Sequence, residues 1–153
     1  MANIVFNIAK GRVVEYYNRV KGNDPANSAI ILVPIETSGL EADSTLIDVD
    51  TLAALIAGAT NEQTTMGRKT LTDAELATLP APDDTNDRYE VSLPTVTWTA
   101  ASGNAISKIA VCYDSDTTGG TDSNIIPLTM FDFAQTPSGA DIQMTTGVFF
   151  RAS

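Results

Sequence analysis

RYEVSLPTVTWTA, residues 88–100, alternates twice. Tyr89, Val91 and Leu93 stand against Arg88, Glu90 and Ser92, and after Pro94 the residues Val96, Trp98 and Ala100 stand against Thr95, Thr97 and Thr99. A period of two places each apolar set on one face of a strand and each polar set on the other. The pattern therefore predicts two strands, each with one buried face. SKIAVCYD (107–114), NIIPLTMFDF (124–133) and DIQMTTGVFF (141–150) follow as further β-branched and aromatic runs. At least five strands thus fill the second half, with turn signals every 8 to 15 residues, the layout of an antiparallel β-sandwich or jelly-roll-like domain. The fold class is mainly β.

Working back from that core, SAIILVPIE (28–36) is apolar at both parities, as expected of a strand buried on both faces. Pro34 has no N–H for a ladder, so it belongs at an edge or a strand end. Phe6, Ala9, Val13, Tyr17 and Val20 recur at spacings of 3 and 4, which predicts an amphipathic N-terminal helix over residues 7–21. Asn7 is its expected N-cap, Gly22 its stop, and Gly11 a close contact or a bend. DTLAALIAG predicts one further short helix, capped by Asp50 and ended by Gly58. Between them and the β half lie a short strand at 68–71 and a helical turn at Thr72, where Glu75 completes a capping-box spacing. PAPDDTND (80–87) is a solvated loop rather than a domain boundary, because each half alone would be too small for a sound core. The chain reads as a single domain, 1–153, with residues 1–22 as a basic helical arm packed on or extending from the β body.

Composition narrows the chemistry. There is no histidine, so the usual general base near neutral pH and the commonest transition-metal ligand are both missing. Cys112 is the lone cysteine and sits in the apolar run IAVCY, as a buried small hydrophobe would. The longest apolar runs, AIILVPI and LAALIAGA, are far below the roughly 18 residues of a membrane span. The start, MANIVFNIAKG, lacks a signal-peptide core, so synthesis in the cytoplasm without export is expected. A net charge of −10 argues against a grip on nucleic-acid phosphates. No phosphate loop, nucleophile elbow or metal-ligand spacing occurs, so no catalytic residue and no cofactor is expected. The nearest approach to a metal site is a weak calcium candidate, Asp114, Asp116 and Asp122, in DSDTTGGTD. Its twelfth position is Ile125 rather than Glu, and its flanks are strands. The better reading of that loop is a hairpin or sheet-crossing connection with Gly119 and Gly120 at its tip.

Charge layout points to binding instead. Residues 1–21 carry four cations against Glu15, whereas residues 22–153 carry five cations against eighteen carboxylates. A basic arm on an acidic body suits docking on an acidic protein surface or on a neighbouring copy. Lys10, Arg12, Arg19 and Lys21 are the candidate contacts. Tyr16 joins them, since it is adjacent to the core-facing Tyr17. Phe149 and Phe150, as consecutive strand residues, should point to opposite faces, which makes one of them a candidate for a covering layer or an interface.

Three stretches, NIAKGRVVEYYNRVKGNDPANSAIILVPI, DDTNDRYEVSLPTVTWTAASGNAISKIAVCYDSDTTGGTDSNIIPL and the terminal GVFFRAS, together resemble a family of small structural proteins of tailed double-stranded DNA bacteriophages. The family's run W-T-A…A-x-x-x-x-V-x-Y-D…D-x-x-I-I lies in the second half here. The resemblance implies a non-enzymatic capsid decoration, or cement, protein. Such proteins are small β-rich homo-oligomers, dimers or trimers, that bind the outer surface of the expanded head and clamp neighbouring major capsid protein subunits. It implies a virion location, with no direct nucleic-acid or membrane contact. Tail and head-fibre components share such folds, and binding of host surface glycans is the alternative role.

Overall fold

SAIILVPIE forms the spine of the protein. In the computed structural model, which describes residues 4–152, it is an interior strand with seven of its eight residues buried. Residues 1–3 of the expected arm and residue 153 of the terminal stretch lie outside the described residues. In chain order the elements are β1 (Ile4–Val5), a 3-10 turn (Asn7–Ala9), α1 (Val13–Lys21), β2 (Ala29–Glu36), α2 (Asp43–Leu46), α3 (Leu52–Leu55), β3 (Lys69–Leu71) and α4 (Asp73–Leu76). The β half follows as β4 (Tyr89–Leu93), β5 (Val96–Trp98), β6 (Ile106–Asp114), β7 (Ile126–Gln135), β8 (Ile142–Met144) and β9 (Gly147–Ala152).

One five-stranded antiparallel sheet has the order β1-β7-β6-β2-β3, and two antiparallel ribbons, β4–β9 and β5–β8, stand apart from it. The alternation in β2 explains its composition. Ile30 and Leu32 face one core, with Ile109, Val111 and Leu128 beside them and α1 and both ribbons above. Ala29, Ile31, Val33 and Ile35 face a second core, covered by Leu46 of α2 and by Leu52 and Leu55 of α3. Each Ile or Leu so buried contributes roughly 1.5–3 kcal/mol relative to exposure. The protein is a single mainly-β domain, and the expected sandwich takes a divided form. Its second layer is two ribbons and a helix rather than the second continuous sheet of a jelly roll.

The N-terminal helix is shorter than its periodicity implied. Gly11 has φ +79° and separates the 3-10 turn from α1. An added Cβ there would meet nothing within 4 Å, so Gly11 makes a bend and no close contact. Asn7 is no N-cap; its N–H donates to the Ile47 carbonyl at 2.8 Å and its side chain bonds Asp48, fastening the turn to α2. Gly22 does follow the last residue of α1. The cap of α3 is Thr51, whose hydroxyl accepts from the Ala54 N–H at 3.1 Å, rather than Asp50, and the helix has ended by Ile56, before Gly58. Among the described residues three single-turn helices accompany α1: α3 and α4 stand where a short helix and a helical turn at Thr72 were expected, with the capping box of Thr72 and Glu75 formed, and α2 was not expected. Pro34 lies beyond the last residue of β2 paired with β3, and its carbonyl accepts from Gln63 at 2.9 Å. Its nitrogen thus faces a connecting segment rather than β6, and no ladder bond is lost.

Gly39 has the same φ as Gly11, +79°, in a different setting. A Cβ on Gly39 would lie 2.1 Å from the Ala59 carbonyl oxygen, which also accepts from the Asn61 side chain. Gly11→Ala should therefore cost only the left-handed backbone term, about 1–2 kcal/mol. Gly39→Ala should cost clearly more, because backbone has to move. Urea midpoints of the two variants make the comparison, and equal losses would refute the backbone contact.

Candidate functional site

The loop from Asp114 to Ile125 is built as a connection. Asp114 accepts from the Asp116 N–H at 3.0 Å, and Asp116 accepts from the Thr118 N–H at 3.0 Å, so both carboxylates close local turns. The hydrogen bonds from Thr118 hold the Asp116 carboxyl below its ordinary range. Asp122 points elsewhere. Both its oxygens are taken by the Arg68 guanidinium, at 2.6 and 2.9 Å, while the same fork grips Glu62 at 2.7 and 2.6 Å. The calcium candidate is thereby dismantled: its third ligand is turned toward Arg68, a residue distant in sequence. Among the described residues no cluster of three or more His, Cys, Asp or Glu side chains could hold a metal ion. The loop's carbonyls have a different use. Those of Ile125 and Asp122 accept from Leu52 and Ala53 at 2.9 and 3.0 Å, satisfying free N–H groups at the start of α3.

The candidate contacts on the basic arm divide. Val13, Tyr16, Tyr17 and Val20 form one buried stripe on α1. Adjacent residues on a helix differ by only 100°, and an apolar stripe is at least that wide, so both tyrosines are core. Tyr16 stacks on Tyr113 with centroids 4.6 Å apart, and the Arg12 guanidinium covers it at 4.5 Å. Its assignment as a partner contact is overturned. Lys21 is also engaged, its ammonium donating to the Leu79 and Pro80 carbonyls at 2.8 and 3.3 Å. Lys10, Arg12 and Arg19 stay exposed, the two arginines flanking Glu15 at 3.2 and 3.1 Å. The hydrogen bond from Arg12 is the main cause that holds the Glu15 carboxyl low.

Phe149 and Phe150 both pack toward the same core. The register runs Val91↔Phe150 and then Ser92↔Val148, so Phe149 is the extra residue of a β-bulge, and a bulge re-aims side chains that regular alternation would send to opposite faces. Phe149 lies 6.1 Å from the Tyr17 ring and is buried. Val148 is left facing solvent at 46% exposure, at the rim of a cleft of about 370 Å³ whose walls include Leu93, Phe131 and Met144. Sequence reasoning missed Val148 because the bulge has no local signature.

It also missed Lys108, a buried cation among core strands, whose ammonium reaches Asp43 at 3.1 Å and Asp132 at 3.0 Å. Burial works to lower its pKa, but the hydrogen bonds and charges of the two carboxylates outweigh that, and the net shift is upward. Lys108 is a charged structural pin. Cys112 is fully buried in the second core, and burial pushes its thiol far above the ordinary range, which makes it inert as a nucleophile. The arrangement of the described residues thus offers surfaces for binding: exposed cations on and just before α1, and a cleft whose walls join Leu93, Phe131 and Met144 with Asp132 and Thr145. No family model, no curated protein and no solved structure matches the chain.

Proposed function

We propose that this chain is a phage virion structural protein, a capsid decoration protein that binds the outside of the expanded head as a homo-oligomer and clamps neighbouring major capsid protein subunits. The observation that carries the reading is the resemblance of the three stretches, which build α1 with β2, the run β4 to β6 with the start of β7, and β9. They supply both layers of the domain, so the likeness covers its framework and not one loop. The exposed cations Lys10, Arg12 and Arg19 on a body of opposite net charge support docking on an acidic capsid surface. A ligand that binds only the assembled, expanded lattice stabilises it by mass action, and such a clamp requires area, about 1,200–2,000 Å² for a stable contact.

Co-sedimentation with expanded capsids and, separately, with unexpanded proheads tests the proposal. Pelleting with expanded capsids alone is the expected result. Lys10→Glu combined with Arg19→Glu should weaken that pelleting while leaving the melting temperature nearly unchanged, since both side chains are exposed. A double variant that pellets as well as the parent would remove the basic face from the contact. Pelleting with neither particle would overturn the capsid role and move the search to tail or head-fibre components and host glycans.

A further inference from the structure

The pin at Lys108 also sets an amine against a carboxyl. Lys108 of β6 and Asp132 of β7 are direct cross-strand partners, and the ammonium lies 3.0 Å from Asp132 Oδ1. A third group completes the cluster: Asp43, the first residue of α2, holds the same ammonium at 3.1 Å. Side-chain exposure falls from 36% at Asp43 to 18% at Asp132 and 5% at Lys108. The opposed pair is thus nearly dry, while the second carboxylate keeps contact with solvent. Among the described residues Lys108 is the only buried cation. Of the other lysines, Lys10 is exposed, Lys21 donates to backbone carbonyls and Lys69 lies over the Trp98 ring, so this juxtaposition occurs once.

We propose that Lys108 and Asp132 join in an intramolecular amide bond, a covalent link between β6 and β7. The Nζ lone pair attacks Asp132 Cγ, one C–O bond of that carboxyl breaks, and the oxygen departs as water. The ammonium gives up two hydrogens and the carboxylate one oxygen, so no oxidant, reductant or activating group is consumed and the net charge of the chain is unchanged. Asp43 takes the ammonium proton that must leave before the nitrogen can attack, which is what separates this cluster from an ordinary ion pair. Groups held in contact react as though at effective concentrations as high as about 10⁵–10⁸ M, and exclusion of water protects the product from hydrolysis. Burial opposes the ammonium, but the two carboxylates outweigh it and keep Lys108 charged. The attacking neutral amine is therefore the minor form, and the bond forms slowly, after folding. The link joins residues 24 apart in sequence and restrains the unfolded chain as a disulfide does, in a chain whose single cysteine cannot form one internally. It is independent of the capsid reading.

Intact-mass spectrometry of the full chain, purified and then held warm at neutral pH, should show a mass lower than that of the sequence by one water. Trypsin should then release residues 89–151 as one peptide in place of 89–108 and 109–151, because an acylated Lys108 is not cleaved. Asp132→Asn makes the same amide by losing ammonia instead, so it should converge on the mass of the linked parent. Lys108→Arg should keep its sequence mass. Asp43→Asn, altered at the most exposed of the three positions, should slow the loss of water by about a hundredfold, with thermal melts reporting that each variant folds. A folded parent that keeps its full sequence mass would overturn the proposal. So would water lost while trypsin still cleaves after Lys108, or lost at the parental rate in Lys108→Arg or in Asp43→Asn.

Discussion

Trp98→Ala is expected to cost roughly 3–5 kcal/mol of folding stability, in the range of a large aromatic removed from a packed core. The ring is 1% exposed, lies 6.3 Å from Phe133, and carries Lys69 over its face at 5.9 Å. Its indole N–H donates to the Gly67 carbonyl at 2.9 Å, tying β5 to the segment that leads into β3. Two effects therefore combine, lost volume and an acceptor left without its donor. Trp98→Phe separates them, because it keeps a ring and loses the donor; it should cost about 1–3 kcal/mol. Urea denaturation of the three proteins gives both numbers. A Trp98→Ala loss below about 1 kcal/mol would mean the ring is far less confined than its burial implies.

The second large effect is expected at Arg68. Its fork joins Glu62, 9% exposed at its side chain, to Asp122, 35% exposed, and so fixes the 114–125 loop to the segment before β3. Arg68→Met removes the cation and leaves two carboxylates facing each other. For a fully buried pair the loss would be roughly 3–5 kcal/mol. Solvent reaches Arg68 and Asp122, so about 2–3 kcal/mol is expected. The loss should depend on pH. The hydrogen bonds from Arg68 are the first cause that lowers the Asp122 carboxyl in the folded protein, burial opposes it, and the charge of Arg68 adds to the lowering. A carboxylate with a depressed native pKa stabilises the fold fully above its unfolded value, near 3.9, and loses that contribution as pH falls through the native value. The gap between parent and Arg68→Met should thus be widest at neutral pH and narrow below about pH 4. A gap that stays constant into that acid range would show that the Asp122 charge is not what Arg68 holds.

These effects also mark where local reading of the chain stops. Strand identity was legible where polar and apolar residues alternate, as in Val96, Thr97 and Trp98, because that alternation follows burial. The double burial of Ala29 to Val33 was legible because apolar residues fill both parities there. The Arg68 fork was invisible, since Asp122 lies 54 residues from Arg68 and each of Glu62, Arg68 and Asp122 alone resembles an ordinary surface charge. Lys108 was hidden likewise, because a cation within a strand gives no sign that two carboxylates will gather round it. The binding candidates fared unevenly on the same physics. Arg19 is exposed by helix phase, and Lys10 and Arg12 by the bend at Gly11 that precedes α1, whereas Tyr16 and Phe149 depend on how wide a stripe is covered and where a strand bulges.

What the sequence by itself determined is the class of the fold, the place of most strands, and the separation of a basic arm from an acidic body. Those properties reside in periodicity and net charge, which neighbours in the chain already express. Only the tertiary structure decided that the second layer would be two ribbons with α1, that Asp122 would serve Arg68 rather than a metal, and that a bulge in β9 would turn both Phe149 and Phe150 toward one core. Each depends on pairing between distant segments. Such pairing is selected by the burial and hydrogen bonding of the whole domain, and no window of adjacent residues contains it.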